Sequence, residues 1–246
     1  MSVTDHLRPC AEIAPEALLP GDPGRAMALA QELTDSPRMA NHARGLWGYT
    51  GTTPAGRALT VQSTGVGGPS VAVVLEELAS LGVARAIRIG TCRALDPALE
   101  PGDALVVGTA IGDDGTSSAL GAAASSEPDA GLTAELARVA GLDPVVVASA
   151  DLYYDPEAGP RRERWRRAGA SAADLGTAAA FATGARLGVA VACGLVVATD
   201  AGGEGLDDDA VQAASLALGR SAAEALAAGR QAPAAQPPGS GTPAPP

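Results

Sequence analysis

The stretch ALTVQSTGVGGPSVAVVLEELASLG (58–82) decides the fold. ALTVQ (58–62) is a short apolar run of strand length, and a glycine-rich loop, STGVGGPS (63–70), follows it. Val71, Val74, Leu75 and Leu78 then recur at i, i+3, i+4 and i+7, the spacing of one helical face. Ser70 is the expected N-cap, and Gly82 stands just past the last apolar position. Strand, tight loop and amphipathic helix in that order form the unit from which α/β sheets are built.

The same grammar continues on either side. Upstream, ALLP (17–20) ends in Gly21-Asp22-Pro23-Gly24, and Arg25 to Leu33 carries helical spacing through Met27, Ala30 and Leu33. Downstream, Ala86–Ile89 gives a third strand closing on Gly90-Thr91-Cys92, Ala104–Val107 a fourth, and Val145–Ala148 a fifth leading into Asp151-Leu152-Tyr153-Tyr154. Val189–Thr199 is almost continuously apolar, as a strand covered on both faces would be, and it ends at Asp200. Residues 112 to 130 are Gly, Ala, Ser and Asp with little to bury, and the Arg161–Arg167 run reads as a solvated helix face. The expectation is one α/β domain over residues 1–228, followed by an Ala/Pro/Gly-rich tail (229–246) expected to be disordered.

Composition excludes several function classes. The 246 residues carry 17 basic and 28 acidic side chains, a formal charge of −11, which is unsuited to a general polyanion binder. No lysine occurs, so every basic residue is arginine and amine chemistry such as a Schiff base is unavailable. Aromatics make up 2% of the chain, too few for single-strand stacking platforms, so no nucleic-acid partner is expected. Three widely spaced cysteines and two histidines offer neither a disulfide framework nor a metal-ligand pattern, and no metal or organic cofactor is expected. With no signal-like start and no apolar run of about 18 residues, the expectation is a cytoplasmic protein without a membrane partner.

Candidate chemistry gathers at strand ends, where open α/β sheets collect ligands. Arg88 sits in an apolar strand beside Gly90-Thr91. Taken alone it reads as the solvent side of an edge strand, and Arg25 as a solvated first turn. Together, Gly21, Arg25, Arg88 and Thr91 offer guanidiniums, a backbone N–H and a hydroxyl suited to a phosphate. The 65–70 loop is a weak match to a dinucleotide fingerprint, because Ser70 replaces its last glycine. Cys92 reads as a small packed residue rather than a nucleophile.

LLPGDPGRA (18–26), NHARGLWGYTG (41–51), STGVGGPS (63–70), IRIGTC (87–92), SADLYYDP (149–156) and the strand ending in Thr199-Asp200 resemble, in this order, the hexameric branch of the nucleoside phosphorylase family. That branch includes bacterial purine nucleoside phosphorylase and uridine phosphorylase. The resemblance implies a three-layer α/β/α domain with a central mixed β-sheet, assembling as dimers within a hexamer. It implies cleavage of a nucleoside by inorganic phosphate, the co-substrate, to a free base and a pentose 1-phosphate. By motif position, Gly21, Arg25, Arg88 and Thr91 match the phosphate binders, and Arg44 the arginine lent across the dimer interface. His6 matches the histidine that reaches the neighbour's ribose, Tyr153 and Tyr154 the aromatics over sugar and base, and Asp200 the acid beside a purine N7. Thr64, Cys92, Arg93, Asp174, Leu175 and Gly176 fall on the ribose and base side of the same pattern.

The sequence departs from that pattern in the sugar and base half. Leu175 and Gly176 stand where the family has a Met-Glu pair gripping the ribose hydroxyls. Without that carboxylate a charge-assisted hydrogen bond of about 1.5–3 kcal/mol is lost unless Asp174 or water supplies it. Ala201-Gly202-Gly203 lacks the arginine that purine enzymes place after the aspartate, and Arg93 replaces a glycine that lies against the base. Two further readings therefore stand beside a phosphorylase: a water-using nucleosidase of the same superfamily, and a non-catalytic relative that binds phosphate or nucleobase.

Overall fold

The computed structural model describes residues 4–228; the tail over 229–246 lies outside the described residues. β1 (Glu16–Pro20) runs into α1 (Pro23–Leu33), whose start is fixed by Asp22 accepting the Arg25 amide at 2.7 Å. An aspartate N-cap followed by proline satisfies the first turn where a missing N–H costs nothing. β2 (Asp35–Asn41) and β3 (Gly48–Thr52) form a hairpin, and β4 (Ala58–Gln62) leads into α2 (Gly68–Ser80). Ser70 is not the cap of this helix. With Pro69 in the first turn the helix begins earlier, Gly67 takes the cap position at φ 84°, and the Ser70 hydroxyl donates to the Thr64 carbonyl at 2.5 Å.

β5 (Arg85–Ala94) continues through the Gly90-Thr91-Cys92 segment expected to close it, and β6 (Ala104–Asp113) is likewise longer than its apolar start. The 112–130 segment is more ordered than its composition suggests. It holds α3 (Gly115–Ala119), capped by Asp114 on the Ser117 amide at 2.7 Å, and the short β7 (Ser125–Ser126) paired with β6. Then come α4 (Ala130–Ala140), β8 (Pro144–Ala150), α5 (Ala158–Arg167), β9 (Ala172–Asp174), α6 (Thr177–Leu187), β10 (Ala190–Thr199) and α7 (Asp208–Ala228). Among the described residues no helix is long and apolar enough to cross a membrane.

The strands form one mixed sheet between two helical layers. Alternate residues of β1, β5 and β10 face opposite sides. Ala17, Leu19, Val191 and Leu195 pack with Val74, Leu78 and Phe181 of α2 and α6. Leu18, Ile87, Ile89 and Val196 pack with Leu29 of α1, Leu136 of α4 and Leu226 of α7. This is the expected α/β/α architecture, but the sheet is not simply open. β5 pairs with β10, β10 with β6, β6 with β8, β8 with β9, and β9 again with β5, so half of the sheet closes on itself.

That closure positions the site. On one edge β5 pairs with β1 only through Ile89, and with β9 only from Arg93 onward. Between these partners Gly90, Thr91 and Cys92 hold on to β10 alone. The sheet therefore parts at a switch point, where a ligand meets strand ends and uncommitted backbone.

Candidate active site

A cavity of about 440 Å³ opens at that parting. It brings together Gly21, Arg25, Arg88, Thr91, Cys92, Arg93, Tyr153, Asp174 and Leu175 of the residues singled out in the sequence. One wall is built from two mutually bonded turns. The Thr64 amide donates to the Pro20 carbonyl at 2.8 Å and the Gly65 amide to the Gly21 carbonyl at 3.0 Å. Gly65 sits at φ 74°, and a Cβ there would lie 2.5 Å from the Ser70 hydroxyl, so only glycine lets the turns close this tightly.

Arg88 is not on a solvated edge: it is 7% exposed, on the α2/α6 face of β5. Its Nη2 donates to Asp174 Oδ2 at 2.9 Å, and Asp174 also accepts from Ser149 Oγ at 2.6 Å, Thr177 Oγ1 at 2.7 Å and the amides of Gly176 and Thr177. Burial is the largest single influence and would lower the Arg88 pKa, but the charge and hydrogen bond of Asp174, with smaller contributions from Cys193 and Cys92, together hold the guanidinium above its ordinary value. Because the Asp174 carboxylate is fully enclosed, it faces Arg88 rather than the cavity; Asp174 meets the cavity by its main chain.

Arg25 contrasts with Arg88. It too lines the cavity, but its buried Nε has no hydrogen-bond partner, and it makes no ion pair among the described residues. Burial lowers its pKa, with Asp22 and Asp208 opposing and the like charge of Arg88 adding to the shift. The Thr91 hydroxyl, on the same wall, also makes no hydrogen bond among the described residues. A half-buried cation without a carboxylate partner, a hydroxyl and a fixed guanidinium on one cavity are donors of the kind that a bound anion satisfies.

The lining also includes Arg93, two residues beyond Thr91 on β5, Tyr153, and Ala158, Arg162 and Trp165 of α5. Arg93 Nη1 donates to the Asp200 carbonyl at 3.2 Å, tying β5 to the turn after β10. Asp200 Oδ1 accepts the amides of Gly203 and Glu204 at 2.6 and 2.8 Å, a turn-capping role, while Oδ2 makes no hydrogen bond among the described residues. Tyr153 and Tyr154 form an edge-to-face pair with ring centroids 4.9 Å apart and are 66% and 91% exposed. The arginine run on α5 is not all solvated face: Arg162 lines the cavity and Trp165 is buried beneath it, its Nε1 donating to Asp113 at 3.0 Å. The sequence signal was the apolar Trp165 three residues after Arg162, which places both on one helical face.

Several sequence candidates lie apart from the cavity lining: His6, Arg44, Thr64, Tyr154, Gly176 and Asp200. Arg44 is exposed and held in the left-handed region at φ 58°. A Cβ on Gly176 would meet Val71 Cγ2 at 3.1 Å and Arg88 Nη2 at 3.5 Å. Cys92 and Cys193 are buried; burial pushes both thiols up, Cys193 to about 12, so neither is a thiolate at neutral pH.

His6 is held by a residue the sequence did not single out. Glu77 of α2 accepts its ring Nδ1 at 2.8 Å and the amides of His6 and Leu7 at 2.9 and 2.6 Å. Burial raises the Glu77 carboxyl, but these bonds, with one from Asp5, together hold it below its ordinary value. A lowered carboxyl contributes stability that is present above its unfolded pKa and disappears as pH falls through its folded pKa. Acidification through the low carboxylate range, or Glu77→Ala at neutral pH, is therefore expected to free residues 5–7. Faster amide exchange at Asp5, His6 and Leu7 would report it, and unchanged exchange would refute it.

A sequence profile of the Phosphorylase superfamily matches residues 16–228. The DeoD-type purine nucleoside phosphorylase of Geobacillus kaustophilus is 35% identical over 187 residues, covering 72% of this chain and 77% of that protein. The corresponding protein of Caldanaerobacter subterraneus subsp. tengcongensis is 33% identical over 192 residues, covering 72% and 79%. Uridine phosphorylase from Vibrio fischeri ES114 superposes with a TM-score of 0.80 at 26% identity, covering 88% of this chain and 92% of that one. The chain therefore belongs to the nucleoside phosphorylase superfamily.

Proposed function

We propose that the protein cleaves a nucleoside with inorganic phosphate, releasing a free base and a pentose 1-phosphate. The observation that carries this reading is the unpaired Arg25 guanidinium in the same cavity as an Arg88 already fixed by Asp174. Water as nucleophile needs no such clamp. Phosphate bound by Arg25, Arg88, the Thr91 hydroxyl and the Gly21 turn attacks C1′ as the C1′–N bond breaks, and that bond's electrons leave with the base. The sugar passes through an oxocarbenium-like state, which the phosphate's charge stabilises. Asp200, which follows the cavity-lining Ala198 and Thr199, is the group that passes a proton to N7 of a departing purine; this favours purine over pyrimidine nucleosides. Tyr153 and Tyr154 cover sugar and base. His6 and Arg44 act across a dimer interface within a homo-oligomer up to a hexamer, consistent with their positions outside the cavity lining of their own chain.

The test is a cleavage screen on purified protein with adenosine, inosine, guanosine, uridine and their 2′-deoxy forms, with and without phosphate. Base release that requires phosphate and yields pentose 1-phosphate is the expected result. Release at the same rate without phosphate would establish the nucleosidase instead. No release from any of them, with phosphate still bound, would favour a non-catalytic relative.

A further inference from the structure

The proposed phosphate site accounts for Arg25 and Arg88 but leaves two further guanidiniums, Arg93 and Arg162, lining the same cavity. Arg93 makes one hydrogen bond, to a backbone carbonyl, and pairs with no carboxylate among the described residues. Arg162, half-buried on the inner face of α5, makes no hydrogen bond or ion pair among the described residues. The acids near it are already taken. Asp155 pairs with Arg161 at 2.9 Å, while Asp113 receives Arg164 at 2.6 Å and the Trp165 indole. Asp200, beside Arg93, uses one carboxylate oxygen to cap its own turn.

A neutral nucleoside would offer neither guanidinium a paired acceptor, and Arg162 would stay without a carboxylate partner in a half-enclosed cavity, where an unanswered charge is costly. A planar guanidinium is best answered by a carboxylate, an ionised heterocycle or a phosphate, each of which accepts paired N–H donors. We propose that Arg93 and Arg162 provide a second anion subsite in this cavity, and that the nucleoside this protein takes carries an anionic group of its own. This rests on the phosphorolysis reading above for the identity of the first anion. It also gives Arg93 a purpose: a residue that would crowd a neutral base becomes a contact for a charged one. The anion comes either from an acidic base or from a phosphate on the sugar.

Matched pairs separate these sources, with binding measured by calorimetry in saturating sulfate, an unreactive stand-in that fills the first anion site without turnover. Xanthosine, whose base ionises near neutral pH, is compared with inosine, orotidine with uridine, and inosine 5′-monophosphate with inosine. The acidic member of at least one pair is expected to bind about 10- to 100-fold tighter, the factor that a charge-assisted hydrogen bond supplies. A preference in the first two pairs places the anion on the base; a preference confined to the third places it on the sugar. Arg162→Gln, with its Tm checked first, is expected to bring the favoured ratio below about 3-fold, and Arg93→Gln to reduce it as well. Equal binding within all pairs, or a preference that survives both substitutions, would overturn the proposal. Base release is read separately: phosphorolysis without acid preference leaves the proposed function standing and removes the subsite. Acid preference without phosphorolysis does the reverse.

Discussion

Asp174→Ala is expected to lower folding stability by about 3–5 kcal/mol, the loss typical of removing one partner from a buried ion pair. The reason lies in what the carboxylate holds. Asp174 Oδ2 accepts from Arg88, Thr177 Oγ1 and two amides, and Oδ1 accepts from Ser149. Removing it strands a buried guanidinium and several buried donors at once. A typical domain has only about 5–15 kcal/mol in hand. Urea unfolding measures the loss, and a change below about 1 kcal/mol would show that the cluster contributes little. A second readout separates charge from packing. Inorganic phosphate, by answering Arg88, is expected to stabilise Asp174→Ala more than the wild type; equal stabilisation would mean that phosphate does not reach Arg88.

Arg25→Met is expected to act in the opposite sense on stability and far more severely on activity. Because the buried Nε of Arg25 is unsatisfied, exchanging it for an apolar side chain of similar length removes a desolvation cost of about 1–3 kcal/mol, offset in part by the lost attraction of Asp22 and Asp208. The folded protein should therefore be as stable as the wild type or more so. The phosphorolysis rate, kcat/KM for phosphate, should fall about 10²–10³-fold, the effect of deleting one preorganised donor to a developing charge. Thermal melting and initial rates at varied phosphate test both halves. Lost stability would mean that Arg25 has a structural partner after all, and unchanged phosphate kinetics would remove it from the site.

How much of this was legible in the sequence depended on the range of the interaction concerned. β4, α2 and the starts of β5, β6 and β10 are local patterns of apolar spacing and glycine, and each lies where its pattern places it. β2 and β3 carry no such pattern. β2 is an edge strand with Asp35, Ser36, Arg38 and Met39 exposed, so neither face writes an apolar alternation. β9 is too short for periodicity, yet it sets Asp174 against Arg88, a contact 86 residues apart in sequence. The burial of Arg88 was invisible for that reason: a lone arginine in a strand reads as exposed until its distant acid is known. The motif order made the phosphate residues findable, whereas the inward turn of Arg162 was hidden inside a run of like residues, with only Trp165 to betray the face.

The parting of β5 from β1 and its later capture by β9 places the two sides of the cavity on separate supports. The Gly21 and Gly65 turns are braced by β1, β4 and one another, whereas Tyr153 and Arg162 stand on α5 and the loop before it. Under the proposed function this division makes the second side of the cavity an interchangeable part: a library confined to residues 152–165 and 200–205 is expected to change which nucleoside is accepted while the phosphate-binding turns keep their geometry.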